Sequence, residues 1–264
     1  MISANNLRLT FGKGTPLENP ALRDMSLTVN QGEFVTVIGS NGAGKSTFLN
    51  ALAGEVLVDS GSILVDGEDV SRLPTHRRAS RVARVFQDPL AGTCEGLTIE
   101  ENLSLAIKRG QRRGLTTAVK RRYVERFRSS LSSLNLGLED RLTDKMGLLS
   151  GGQRQAVSLL MASLTPSSIL LLDEHTAALD PRTAAFVLDL SKKIVTDTGL
   201  TALMVTHSMK QALEVGTRTV MLHQGKVVYD IAGEQREGLE VKDLLSLFEK
   251  QRGLEITDDS LLLS

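Results

Sequence analysis

Gly39-Ser40-Asn41-Gly42-Ala43-Gly44-Lys45-Ser46-Thr47 decides how the rest of the chain is read. Gly39 and Gly44 bracket four residues and are followed by Lys and Ser, the spelling of a phosphate-binding loop. Glycines let backbone N–H groups approach phosphate oxygens, so residues 40–44 form the cradle. Lys45 supplies a point charge for the β- and γ-phosphates. The Ser46 hydroxyl is a ligand for Mg²⁺. Thr47 opens a helix, whose N-terminus favours anions. The flanks agree: residues 33–38 (Glu-Phe-Val-Thr-Val-Ile) read as a short buried strand, and residues 46–53 as a helix with Phe48, Leu49 and Leu52 apolar. The pattern predicts a bound nucleotide with Mg²⁺ as its cofactor.

Outward from this loop, 264 residues suffice for one large domain or two lobes. Lysine plus arginine balances aspartate plus glutamate at 31 each, which gives no case for a nucleic-acid partner. One cysteine, Cys94, excludes an intramolecular disulfide framework and fits a reducing compartment. Residues 1–10 lack a basic segment followed by an apolar run. No apolar stretch reaches the ~18 residues of a membrane span, so any membrane role goes through a partner.

Toward the N-terminus, residues 6–10 alternate as an edge strand ending at Phe11, 12–20 read as a loop, and 25–29 and 61–67 as further strands. These form a small antiparallel sheet leaning on the nucleotide core. Residues 81–86 read as a core strand followed by Gln87. A helical insertion then occupies about 88–165. Thr98-Ile99-Glu100-Glu101 is a capping box opening a helix through Lys108, and 118–134 form an amphipathic helix with Val119, Tyr123, Phe127 and Leu131 on one face. Lys108, Arg109, Arg112, Arg113, Lys120, Arg121, Arg122, Arg126 and Arg128 make this insertion cationic. That is either a solvated face or a surface for anionic headgroups or an acidic partner loop. Beyond it, 151–164, 183–195 and 209–215 read as helices, 168–173 and 201–206 as core strands, and 220–222 with 226–230 as a hairpin. Strands alternating with helices predict an α/β fold with a mostly parallel sheet. The domain spans 1–250, with one amphipathic helix at 241–248, and 251–264 form a loose tail.

Two further constellations carry chemistry. Asp173-Glu174 ends the apolar run of residues 169–172, where open α/β sheets bind ligands. Asp173 is placed to hold Mg²⁺, and Glu174 to polarise a water against the γ-phosphate. Leu149-Ser150-Gly151-Gly152-Gln153 precedes a helix, so a hydroxyl, bare backbone N–H groups and the helix dipole converge on a second anion site without a lysine. One chain with one nucleotide has no need of it.

With these five residues the chain resembles the ATP-binding subunit of an ABC transporter, a P-loop NTPase. The resemblance covers nearly the whole chain, with the motifs in the family's order: 39–47, Gln87, 150–153, Asp173-Glu174, Ala178-Leu179-Asp180, His207. It implies that Gln87 contacts Mg²⁺ and the attacking water, that Glu174 is the general base, that Asp180 lies at the subunit junction, and that His207 meets the γ-phosphate. It implies that Phe11 stacks on adenine. Two chains would close head to tail over two ATP molecules, each site pairing one loop with the other chain's Ser150, Gly151, Gly152 and Gln153. The chain departs from the family's usual proline with His175. A zinc pair of His175 with His207 fits no metal-binding spacing. Residues 173–180 and 137–142 resemble importer ATPases that work with a permease and a solute-binding lipoprotein. That implies amino-acid or similar uptake from the cytoplasmic face of the membrane. An exporter ATPase and a soluble ABC ATPase acting on DNA or ribosomes are the alternatives. The latter usually carries two cassettes or a coiled-coil insertion, and neither is visible here.

Overall fold

The computed structural model describes the backbone of residues 1–111, 119 and 121–262, and the side chains of these as far as residue 251, residue 121 excepted. Among these described residues, ten strands form two sheets. β1 (Ile2–Phe11), β2 (Asn19–Val29), β4 (Ser60–Val65) and β5 (Glu68–Asp69) pair antiparallel in the order β2-β1-β4-β5. β3 (Phe34–Gly39), β6 (Val82–Val85), β7 (Ile169–Asp173), β8 (Ala202–Val205), β9 (Arg218–His223) and β10 (Lys226–Ala232) form the second sheet in the order β10-β9-β3-β8-β7-β6. All pairs in it are parallel except β9 with β10, a hairpin turning at Gln224-Gly225. This is the mostly parallel sheet and small antiparallel partner predicted from the pattern. One expectation is corrected: β1 is no edge strand but is paired on both sides, by β2 and β4.

Eight helices surround the sheets: α1 (Lys45–Ala53), α2 (Thr75–Arg78), α3 (Ile99–Ala106), α4 (Arg121–Ser132), α5 (Gly151–Ser163), α6 (Pro181–Thr198), α7 (Met209–Val215) and α8 (Val241–Leu262) among the described residues. The apolar run in β7 explains the layering. Successive side chains of a strand face opposite ways. Leu170 and Leu172 therefore join a core with α3, α4, α5 and α6, while Ile169 and Leu171 join one with α1 and the small sheet. A strand covered on both faces reads as continuous hydrophobicity rather than alternation.

The Thr98 hydroxyl accepts the Glu101 N–H at 3.2 Å while the Glu101 carboxylate accepts the Thr98 N–H at 2.7 Å, which is the expected capping box. Other boundaries shift. α3 stops at Ala106 rather than Lys108, and α4 begins at Arg121, so Val119 lies outside the helix expected from 118. Arg112, Arg113 and Lys120 of the cationic stretch lie outside the described residues. The last helix continues to Leu262 instead of giving way to a loose tail at 251.

Arg78 is an unforeseen part of the frame. It is 1% exposed, and its guanidinium donates to Ala51 O at 2.6 Å, Leu52 O at 3.0 Å, Leu73 O at 2.7 Å and Ser71 O at 3.2 Å. Ala51 and Leu52 belong to the last turn of α1, whose carbonyls lack helical donors and carry negative partial charge. Arg78 thus closes the far end of the phosphate-loop helix. Arg78→Met should lower stability by about 3 kcal/mol by stranding those carbonyls. For a chain this size that is a fall of roughly 6–12 °C in Tm. A melting curve overlying the wild type would contradict this role.

Candidate active site

The strand order brings the motif residues together. β3, β8 and β7 are consecutive and parallel, so Gly39, His207 and Glu174 emerge from the same C-terminal edge. Gly39 has φ +155°, and a Cβ there would meet Leu222 O at 2.3 Å, so no side chain fits where the loop leaves β3. Lys45 is 5% exposed and its Nζ donates to Gly39 O and Ser40 O, both at 2.9 Å. Its ammonium therefore lies across the loop it follows. Burial lowers the pKa of this ammonium, and the charges of Glu174 and Asp173 oppose the shift. A cleft of about 240 Å³ lies above, lined by Phe11, Asn19, Ala21, residues 41–47, Glu174 and His207.

Glu174 follows β7 with its N–H on Val205 O at 3.0 Å. Its φ of +45° is a left-handed conformation for a non-glycine residue, a local strain of the sort that clusters at functional sites. Its Oε1 lies 2.6 Å from His207 Nε2, with the carboxylate 11% and the imidazole 50% exposed. Asp173, one residue earlier, turns to Arg84 at 2.6 Å. Ser46 is exposed at the first turn of α1. Ser46 and Asp173 offer a hydroxyl and a carboxylate, both oxygen donors. That suits Mg²⁺, which keeps waters and takes substrate phosphate oxygens. His175 and His207 are not aimed at one point: His175 Nε2 lies 2.7 Å from Ser191 Oγ in α6, while His207 pairs with Glu174. Complete burial pushes the His175 pKa down to about 4, so it is neutral at pH 7. Gln87 is exposed just beyond β6 and is not among the residues lining the cleft.

The second anion motif stands apart. The Ser150 hydroxyl accepts the Gln153 N–H at 3.3 Å, and Gln153 Oε1 accepts the Ser150 N–H at 3.1 Å, capping α5. Gly152 is required by packing: a Cβ there would sit 2.0 Å from Thr183 Cγ2, so α5 meets α6 without room for a methyl group. Asp180 caps α6 through Thr183 N at 3.1 Å. Ser150, Gly152 and Gln153 border a depression of about 360 Å³ with Arg182, Thr183 and Phe186. No lining residue is common to this depression and the phosphate-loop cleft. One chain therefore presents the phosphate loop and the Ser150 motif on two separate surfaces.

Several participants had no motif to announce them. Asn19 and Ala21, at the start of β2, line the cleft. Gln211 Oε1 accepts the Thr206 hydroxyl at 2.9 Å, beside His207, and its side chain also reaches Thr176. Gln155 Nε2 donates to Phe86 O at 3.0 Å, joining α5 to the residue before Gln87. A signal existed for Arg84: a charge inside a strand pattern otherwise apolar. A larger cleft, about 810 Å³, opens between Asp66, Ser168 and Thr201 at the N-terminal ends of β7 and β8, the end opposite to where such sheets bind ligands.

Comparison with known proteins agrees with this fold. Residues 22–177 match the family model described as ABC transporter. A tyrosine transport ATP-binding protein of Clostridioides difficile is 43% identical over 94% of this chain and 99% of its own length. A spermidine/putrescine import ATP-binding protein of Haemophilus influenzae is 32% identical over 90% of this chain, which spans only 59% of that relative. A solved ATP-binding cassette, a dimer in a post-hydrolysis state with ADP and Pi, matches with a TM-score of 0.74 and 30% identity over 90% of this chain and all of that one. The family model covers more than half of the residues and the 43% identity runs nearly end to end, so the chain belongs to the ABC transporter family as an ATP-hydrolysing, ATP-binding subunit.

Proposed function

We propose that two copies of this chain close head to tail over two ATP molecules and drive a membrane permease that imports an amino acid or similar small solute. The observation that carries the dimer is the separation of the phosphate-loop cleft from the Ser150 depression in one chain: a second copy can bring each its complement. Phe11, 44% exposed at the cleft mouth, offers its face to adenine. Residues 40–47 cradle the phosphates, with Lys45 moving from the loop carbonyls to the β- and γ-phosphates. Ser46 and Asp173 would hold Mg²⁺, which when bound neutralises phosphate charge, and Gln87 would approach it from β6. Glu174 accepts the proton of the attacking water, and His207 orients that carboxylate and reaches the γ-phosphate. Ser150, Gly151, Gly152 and Gln153 of the second copy, with Asp180 at the junction, complete the site. Hydrolysis removes the shared γ-phosphate and the dimer reopens.

Import of an amino acid rests on the tyrosine transport relative, matched along almost its entire length. As the ATPase subunit of an importer the chain would sit at the cytoplasmic face, held there by the permease; none of the described helices is long and apolar enough to cross a membrane. A solute-binding protein on the other side would deliver the solute. Nucleic acid has no part in this reading. A mainly apolar groove of about 350 Å³ between the helical insertion and the core, lined by Phe86, Cys94, Leu105 and Met161, is where a permease segment would dock.

Cys94 is the only cysteine in the sequence, so the docking can be read directly. In proteoliposomes carrying its cognate permease, ATP should drive uptake of labelled amino acid, and Cys94 should lose most of its maleimide reactivity relative to the free chain. Uptake absent for every amino acid tried would contradict the solute class. Unchanged Cys94 labelling, with cross-links confined to α8, would contradict the docking groove.

A further inference from the structure

Arg84 is a charged residue inside a buried strand. Its neighbours Val82, Ala83 and Val85 are core, yet the arginine side chain is only 10% exposed. A guanidinium in such a place must be paired to persist. Nη2 donates to Asp173 Oδ2 at 2.6 Å, and Nη1 donates to Asn50 Oδ1 and Glu55 Oε1, both at 2.8 Å. The guanidinium lies 4.7 Å from the centroid of Phe86, which stacks against it. Three elements meet at this one group: β6 supplies it, the end of α1 and the turn after it hold Nη1, and β7 receives Nη2.

The arrangement has a directional consequence. The planar fork fixes several acceptors at set angles, as an ammonium cannot. It takes Oδ2 of Asp173, whose charge also acts on the Lys45 ammonium of the phosphate loop. Glu55 offsets the arginine's charge, so the cluster of Arg84, Glu55 and Asp173 keeps a net negative sign and does not repel a cation. We propose that Arg84 is a positioning residue that fixes the Asp173 carboxylate for the divalent cation of the bound nucleotide. This rests on Asp173 being a ligand of that cation, directly or through water.

The test measures binding, without turnover. Affinity for a non-hydrolysable ATP analogue is determined in EDTA and in Mn²⁺, and the tightening factor between them is compared across variants, with the Mn²⁺ EPR signal as a second readout. Asp173→Asn serves as the reference that should abolish most of the factor. Arg84→Met should reduce it about tenfold, the scale on which partners of metal ligands act. Its affinity in EDTA should stay within about twofold of wild type, because the cradle of residues 40–47 is untouched. Loss of a buried charge can also unfold the chain, so Arg84→Lys is made in parallel. It keeps the charge, loses the fork, and should fall between wild type and Arg84→Met. A wild-type factor in folded Arg84→Lys and Arg84→Met, with Asp173→Asn defective, would overturn the role of Arg84 alone. Equal losses with and without Mn²⁺ would also overturn it, since that is the mark of a merely structural residue. A wild-type factor in Asp173→Asn would overturn the proposal together with the metal assignment beneath it.

Discussion

Glu174→Gln should bind ATP with near wild-type affinity and hydrolyse it at least about a hundredfold more slowly, the usual scale of a lost general base. The substitution is nearly isosteric, and the backbone bond from Glu174 N to Val205 O does not depend on the side chain. What changes is proton affinity: an amide oxygen still accepts a hydrogen bond from His207 but cannot take a proton from water. Because ATP would close the dimer and hydrolysis reopen it, the variant should accumulate as an ATP-bound dimer on gel filtration, while the wild type returns to monomer as ATP is consumed. Turnover close to wild type would remove Glu174 from the role of base and leave the 2.6 Å contact with His207 as a structural tie.

Much of this arrangement is visible in the sequence because its physics is local. The phosphate loop is written in residues that only a strand–loop–helix turn can use, and the structure shows Gly39 pressed on Leu222 O as that reading requires. The apolar run of β7 announces a strand buried on both faces. The capping box at Thr98 is spelled within four residues. What was not legible depends on partners distant in sequence. β1 looks like an edge strand until β4 is known to pair with its other side. Arg78 looks like a surface charge by residue type, and becomes buried through an acceptor 27 positions away. The extent of α8 was missed because Glu249-Lys250-Gln251-Arg252-Gly253 interrupts its apolar pattern without breaking its backbone.

Lys45→Ala and Ser150→Arg, each nearly inactive as a homodimer, should regain ATPase activity when mixed. Lys45→Ala removes the charge that neutralises the phosphates. Ser150→Arg breaks the cap of α5 and places a long side chain over the depression beside Gly152 and Gln153. In a two-fold dimer every site joins one chain's loop to the other chain's Ser150 motif. A mixed dimer then gathers both defects in one site and leaves the other intact. After equal mixing about half of the dimers are mixed, so about a quarter of all sites are whole. Activity should rise toward about a quarter of wild type if the sites act independently, and to less if they cooperate. If both motifs served one nucleotide within one chain, no mixture would contain a whole site and activity would stay at the level of the separate variants.

The head-to-tail composite site is the central claim, and one cross-link tests it without relying on turnover. Ser40→Cys and Ser150→Cys are combined in one chain with Cys94 replaced by alanine, and mild oxidation is applied with ATP bound in the Glu174→Gln background. The composite dimer predicts an ATP-dependent disulfide between chains, seen as a dimer band on a non-reducing gel. A disulfide formed exclusively within single chains would contradict it.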